Sequence, residues 1–104
     1  VMQYNLEKCK ERYGELLLPL AGPEVYAATP AELRAQKTID TLVALRQQLA
    51  DLTGLPTTLS QTGRVKPEQF DEVASTALND GAIIVNPAEA NHEEIVGILR
   101  EVWA

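Results

Sequence analysis

The sequence predicts an all-α fold, an irregular orthogonal bundle of four main helices joined by short helical turns. Three observations predict it. Apolar residues make up 45% of the 104 but aromatics only 5%. The core is therefore Leu, Val, Ile and Ala, a mixture that suits helix packing better than a β-sandwich. These residues recur at three- and four-residue steps, and helix-start and helix-stop residues bracket the segments in which they do so. The length suits one compact domain, and no repeat or low-complexity tract divides residues 1–104.

The elements follow in order. Residues 1–20 read as a helix end, a break, and a helix from Leu6 to about Leu18 with Asn5 as its cap. Leu6, Cys9, Tyr13, Leu16, Leu17 and Leu20 form its apolar face. Pro19 and Gly22-Pro23 end that helix and open a loop through Ala28. Thr29-Pro30-Ala31-Glu32 has the form of a capping box, with Thr29 at N-cap, Pro30 at N1 and Glu32 at N3. The helix it starts is expected to reach Thr53, about 35 Å at 1.5 Å per residue. Leu33, Ile39, Leu42, Val43, Leu45, Leu49 and Leu52 make its stripe, Gly54 its left-handed stop, and Pro56 blocks a restart.

Residues 55–66 are Thr-rich and predict a short helical turn or loop. Pro67 starts the third main helix, which ends near Asn79 with Gly81 as its stop and Phe70, Val73, Ala74, Ala77 and Leu78 facing inward. Ile83-Ile84-Val85 reads as a buried connector, since a lone strand would have no partner. Asn91-His92-Glu93-Glu94 is an N-cap with Glu at N3. It opens a last helix to about Trp103, with Ile95, Ile98, Leu99 and Val102 inward and Trp103 as a packing residue. The connections are too long and irregular for a simple up-down bundle.

Several function classes are excluded or weakened by the residues themselves. The net charge is -6 and the pI about 4.7. An acidic surface argues against nucleic acid and anionic membranes as partners, because phosphate binding needs clustered Lys and Arg. The longest apolar runs are far short of a membrane span. The single cysteine, Cys9, cannot form an intramolecular disulfide, which fits a reducing cytoplasm; it lies on an apolar helix face without a histidine partner and reads as a structural thiol. A catalytic metal site usually needs three protein ligands, and the one histidine, His92, falls at a helix start. The carboxylates Glu7, Glu11, Glu15, Asp40, Asp51, Glu68, Asp71 and Glu72 fall on solvent faces. No glycine-rich phosphate loop and no nucleophile elbow is present. The residues alone thus describe an acidic all-helical domain with no catalytic, cofactor-binding or metal-binding residue of its own.

A set of collinear segments adds a specific expectation. Val1-Met2-Gln3-Tyr4-Asn5, Arg12-Tyr13, Leu52-Thr53-Gly54-Leu55-Pro56, the stretch from Asp71 to Asp80, and Asn86-Pro87 followed by Glu94-Ile95 together resemble the carboxyl-terminal helical domain of the iron-type (group III) metal-dependent alcohol dehydrogenases. The resemblance covers nearly the whole chain. It implies the carboxyl-terminal part of a dehydroquinate synthase-like helical domain. It also implies a parent enzyme that interconverts small alcohols with aldehydes or ketones using NAD(P) and a divalent metal, iron or sometimes zinc. The family's metal-ligand motifs match nothing in this chain, so no metal or cofactor is expected on it.

The resemblance implies the amino-terminal part of the same enzyme as partner, and the start at Val1 in helical-looking sequence suggests a missing upstream segment. A homo-oligomer is left open, and the cytoplasm is the expected location. The stretch at Asp80-Gly81-Ala82 resembles one that lines the substrate side of the cleft, which makes Gly81 and Ala82 the candidate site residues. Where relatives carry Asn-Pro-Arg, this chain has Asn86-Pro87-Ala88. The alternative reading is a free-standing acidic helical module that binds other proteins.

Overall fold

A computed structural model describes residues 1–104. It contains seven α-helices and two 3-10 turns and no strand, so the chain is all-α. Contacts divide it into two compact units, Val1–Thr53 and Gly54–Ala104.

The first unit is built on two 20-residue helices, α1 (Met2–Ala21) and α3 (Arg34–Thr53), with the six-residue α2 (Pro23–Ala28) between them. Their seam uses small residues. Ala35 and Thr38 are buried, as are Leu17 and Ile39. Thr38 donates its hydroxyl to the Tyr13 carbonyl at 2.6 Å, with the Arg34 carbonyl at 3.1 Å. A fully buried hydroxyl is thereby satisfied, which removes the penalty of desolvating it. A Cβ placed on Gly14 would meet Arg34 Cβ at 3.5 Å and the Ala35 nitrogen at 3.8 Å, ordinary contact distances.

Several expectations for this unit are corrected. There is no break at Asn5. The Asn5 amide donates to the Val1 carbonyl at 2.9 Å, so the residue lies inside α1, and its side chain is buried rather than capping. Pro19 sits inside α1 instead of ending it. Only two helical residues follow it, so the helix loses one late hydrogen bond and continues until Gly22, at φ 90°, donates to the Leu18 carbonyl. The expected loop after Gly22 is the helix α2, which places Pro23 at its first position.

Thr29 does not cap α3. Its hydroxyl donates to the Val25 carbonyl at 2.7 Å and so belongs to the end of α2. The residue before a proline is pushed to extended backbone, and Thr29 adopts φ -93°, ψ 123°. A 3-10 turn, Ala31–Leu33, then leads into α3. Arg34 closes the corner. Its Nε donates to the Tyr26 and Thr29 carbonyls, both at 3.1 Å, and its guanidinium lies 3.8 Å from the centre of the Tyr26 ring. Cationic donors at a helix carboxyl end satisfy orphan carbonyls and complement the dipole. Gly54 ends α3 at φ 71° as expected. The expected stripe is mostly uncovered: Ile39 is buried and Leu42 partly so, whereas Leu33 in the 3-10 turn and Val43, Leu45, Leu49 and Leu52 on α3 are exposed.

The second unit has a separate core of Phe70, Ala74, Ile95 and Val96, flanked by Val65, Ala77, Leu78, Ile83, Leu99 and Trp103. The expected turn is α4 (Leu59–Thr62), started by a Thr58–Gln61 capping box and closed by Gly63 in the left-handed region. Its first amides do not face solvent. Leu59 and Ser60 donate to the carbonyls of Val102 and Trp103 at 2.9 and 3.0 Å. One helix start is therefore satisfied by the end of another.

Pro67 opens a 3-10 turn, Pro67–Gln69, that leads into α5 (Phe70–Leu78). The final helix, α7 (His92–Glu101), has the expected box: Asn91 Oδ1 accepts from the Glu94 amide at 3.0 Å, and Glu94 Oε2 accepts from the Asn91 amide at 2.9 Å. Trp103 packs as expected, edge-on to Phe70 with ring centres 5.7 Å apart.

Two readings here are overturned. Gly81 does not stop α5, which ends at Leu78; Gly81 is the first residue of α6 (Gly81–Ile84). Ile83-Ile84-Val85 is not a buried connector. One helical turn points its side chains in different directions, so Ile83 reaches the core while Ile84 and Val85 are 83% and 80% exposed. Val102, expected inward, is 40% exposed, and Val96 takes the buried place. Val96 stands three residues before Leu99 and seven before Trp103, the steps that keep residues on one side of a helix.

Two outcomes test this account. Gly14→Ala is expected to stabilise the chain by about 0.5–1 kcal/mol, because the new methyl has room; urea unfolding measures it, and destabilisation would show a tighter seam. Asn91→Ala is expected to cost about 1 kcal/mol through loss of the capping box, read as a lower thermal midpoint.

Candidate functional site

The segment that carries Gly81 and Ala82 is positioned by two local devices. Asn79 closes α5, its Nδ2 donating to the Ser75 carbonyl at 2.9 Å. Asp80 then caps α6, its Oδ1 accepting from the Ala82 amide at 2.8 Å. The short Asp side chain competes well for a nearby amide, which is why Asp80 starts a new turn where a longer carboxylate would not. Gly81 and Ala82 are exposed on the first turn of α6. A Cβ on Gly81 would meet nothing within 4 Å, and its backbone is not in the left-handed region. Neither conformation nor packing within the chain demands glycine there.

Beside this turn lies a shallow, open groove lined by Ala77, Asp80, Ala82, Ile83 and Asn86. Its wall is mostly methyl and methylene. Asp80 spends one carboxylate oxygen on the Ala82 amide, and Asn86 Nδ2 donates to the Ala88 carbonyl. A wall of this kind can contact a small apolar group. Its one carboxylate, Asp80, is exposed to solvent and already holds the Ala82 amide. The exposed pair Ile84 and Val85 adjoins it in sequence and was missed as surface; a helical period across Gly81–Ile84 is the signal that would have separated them from Ile83.

The other chemically capable side chains are dispersed or engaged. No group of three or more His, Cys, Asp or Glu side chains converges on a point that could hold a metal. His92 Nε2 donates to the Asp71 carbonyl at 3.0 Å, a tie between the first turns of α7 and α5, with Asp71 Oδ1 at 4.0 Å. The carboxylates expected on solvent faces are exposed. The hydroxyls around the Thr-rich turn are engaged locally: Thr53 donates to the Leu49 carbonyl, Thr62 to the Leu59 carbonyl, Thr58 caps α4, and Thr57 donates to Gln61 Oε1.

Cys9 is free and half-buried. It lies one turn from Tyr13, whose phenol is raised above its ordinary value of 10.0 by burial first and by the Cys9 thiol second, against a lowering hydrogen bond with Asn5. Asn5, eight residues before Tyr13 on the same helix face, is thus engaged with the phenol. No helix is long and apolar enough to cross a membrane.

What the fold and this surface define is an all-helical segment with an exposed apolar wall and no converging ligand set. Its relatives are specific. The family model described as "Fe-containing alcohol dehydrogenase family, C-terminal" matches residues 1–103. The chain belongs to that family, as a carboxyl-terminal part. A curated relative, described as 1,3-propanediol dehydrogenase from Klebsiella pneumoniae, is 29% identical over 103 residues, covering 99% of this chain and 25% of the relative. The chain therefore spans about a quarter of that protein's length. No solved structure matches.

Two predictions arise here. Gly81→Ala should leave stability within about 0.5 kcal/mol of the parent chain, since the position is open and unstrained; a large loss in thermal melting would contradict the placement of α6. The raised Tyr13 phenol means that the folded chain holds this proton more tightly than the unfolded chain. That contribution is complete below pH 10 and is lost as pH rises through the folded value. The phenolate absorbance that disappears in Tyr13→Phe should accordingly develop above pH 10 in the folded chain and shift down in urea.

Proposed function

We propose that this chain is the carboxyl-terminal helical part of an NAD(P)-dependent, metal-dependent oxidoreductase of the cytoplasm that interconverts small alcohols with aldehydes or ketones. The observation that carries the reading is the family match along residues 1–103, supported by a relative whose description is that of a dehydrogenase. The donor chemistry agrees with a supporting rather than a catalytic role. The residues present do not fit a divalent metal, because no three ligating side chains converge and the one imidazole is bonded to a backbone carbonyl. In this reading the metal ligands and the nucleotide site belong to the preceding part of the parent enzyme. No step of the reaction is assigned to residues 1–104.

In this reading Gly81 and Ala82 line the substrate side of the cleft, and small side chains there leave space for the alcohol. The open surroundings of Gly81 are consistent with it. A side chain there would narrow a pocket in which one extra methylene counts for about 1–3 kcal/mol.

The longer protein that carries this chain should reduce NAD(P) when given a small alcohol and ferrous iron, and the 104-residue chain alone should not. Gly81→Val in the longer protein is expected to raise KM about tenfold or more, with little change in its melting midpoint. Turnover by the isolated chain, or a longer protein inert on alcohols under metal reconstitution, would sink the reading; the second result would favour an acidic helical interaction module.

A further inference from the structure

Along α3, the residues Ala35, Thr38, Leu42, Leu45, Leu49 and Leu52 follow alternating steps of three and four. That spacing is the heptad seam by which one helix seats another. The first half of the seam is used: Ala35 and Thr38 are buried against α1. The second half is not. Leu45, Leu49 and Leu52 are 42%, 48% and 82% exposed. Between the two halves, Leu42 lines an open groove with Leu16 and Leu20 of α1. Apolar side chains of both helices therefore flank a trough that continues an established helix–helix interface.

We propose that this leucine trough receives one more helix, supplied by the preceding part of the same polypeptide, an inference that rests on the function proposed above. Leu45, Leu49 and Leu52 form a narrow apolar stripe in line with the seam already occupied by a helix, a shape that one more helix fits. A small molecule is a poor occupant: the trough offers few polar groups to orient it, and its one buried hydroxyl, on Thr38, is spent on the Tyr13 carbonyl. A second copy is a poor occupant too. A stable dimer buries roughly 800 Å² on each partner, more than a few leucines on two turns offer, and copies carrying a net charge of -6 repel each other. A helix tethered in the same chain docks at high effective concentration and needs much less area. The match to a carboxyl-terminal family model and to a quarter of a longer relative points to such a tethered segment.

The test compares the 104-residue chain with the longer protein. In a Cys9→Ser background, Leu49→Cys places one thiol on the seam, and Leu45→Cys repeats it one step away. Maleimide labelling under native conditions should be fast in the 104-residue chain and at least about tenfold slower in the longer protein. A thiol introduced by Ser75→Cys, on the exposed side of α5, should label equally fast in both. Equal rates at the seam positions would overturn the proposal. So would protection in the 104-residue chain that grows with its concentration, which would assign the trough to a second copy. A longer protein that protects the seam but oxidises no alcohol would leave the helix-docking inference standing and overturn the enzymatic reading alone.

Discussion

The constraint that governs this chain is the need to satisfy helix ends. Seven α-helices in 104 residues leave many backbone amides and carbonyls without intrahelical partners, four at each end of each helix. Large aromatic residues are scarce, so burial alone offers little surplus to offset unpaired groups. The chain meets the demand locally and repeatedly. Gly22 returns its amide to Leu18, Arg34 closes the carbonyls of α2, and Thr58, Asp80 and Asn91 each accept from the turn they begin. Where a side chain is not used, one helix serves another, as the amides of Leu59 and Ser60 do with the carbonyls of Val102 and Trp103.

The two units spend their apolar residues differently. In the second, Phe70, Ala74, Ile95 and Val96 share one core and Trp103 covers its edge. In the first, burial is concentrated on small side chains and on Leu17 and Ile39, and most of the leucines of α3 remain at the surface. Small residues let two helices approach closely and leave the wide apolar side chains free for other contacts. A surface so rich in leucine marks an interaction face.

Signals complete within four or five residues were legible in the sequence. Asn91 and Glu94 form their box because both halves lie in one turn, and Gly54 ends α3 because only a glycine readily takes φ 71° there. The misread segments are those where two local rules compete. Thr29 can cap the helix after it or bond the helix before it, and the i-4 carbonyl of Val25 wins. Pro19 was read as a stop, yet so near the helix end it removes a hydrogen bond of little consequence. Asn5 was read as a cap because it is Asn, and its burial beside Cys9 and Tyr13 depends on tertiary context. At the candidate site, nothing in Gly81 or Ala82 declares a role by itself. Their assignment came from collinear resemblance, and the geometry adds that the fold does not demand glycine at position 81.

The amides that tie α4 to the end of α7 join positions more than forty residues apart. Contacts of that separation cost loop-closure entropy before they return any bonding. Chains emerge from the ribosome amino end first. The Val1–Thr53 unit can thus begin to pack while synthesis continues, whereas α4 must wait with unpaired amides until Trp103 has cleared the exit tunnel. During that interval, Phe70 also lacks the ring that covers its edge. Of the two units, the carboxyl-terminal one therefore closes its packing last.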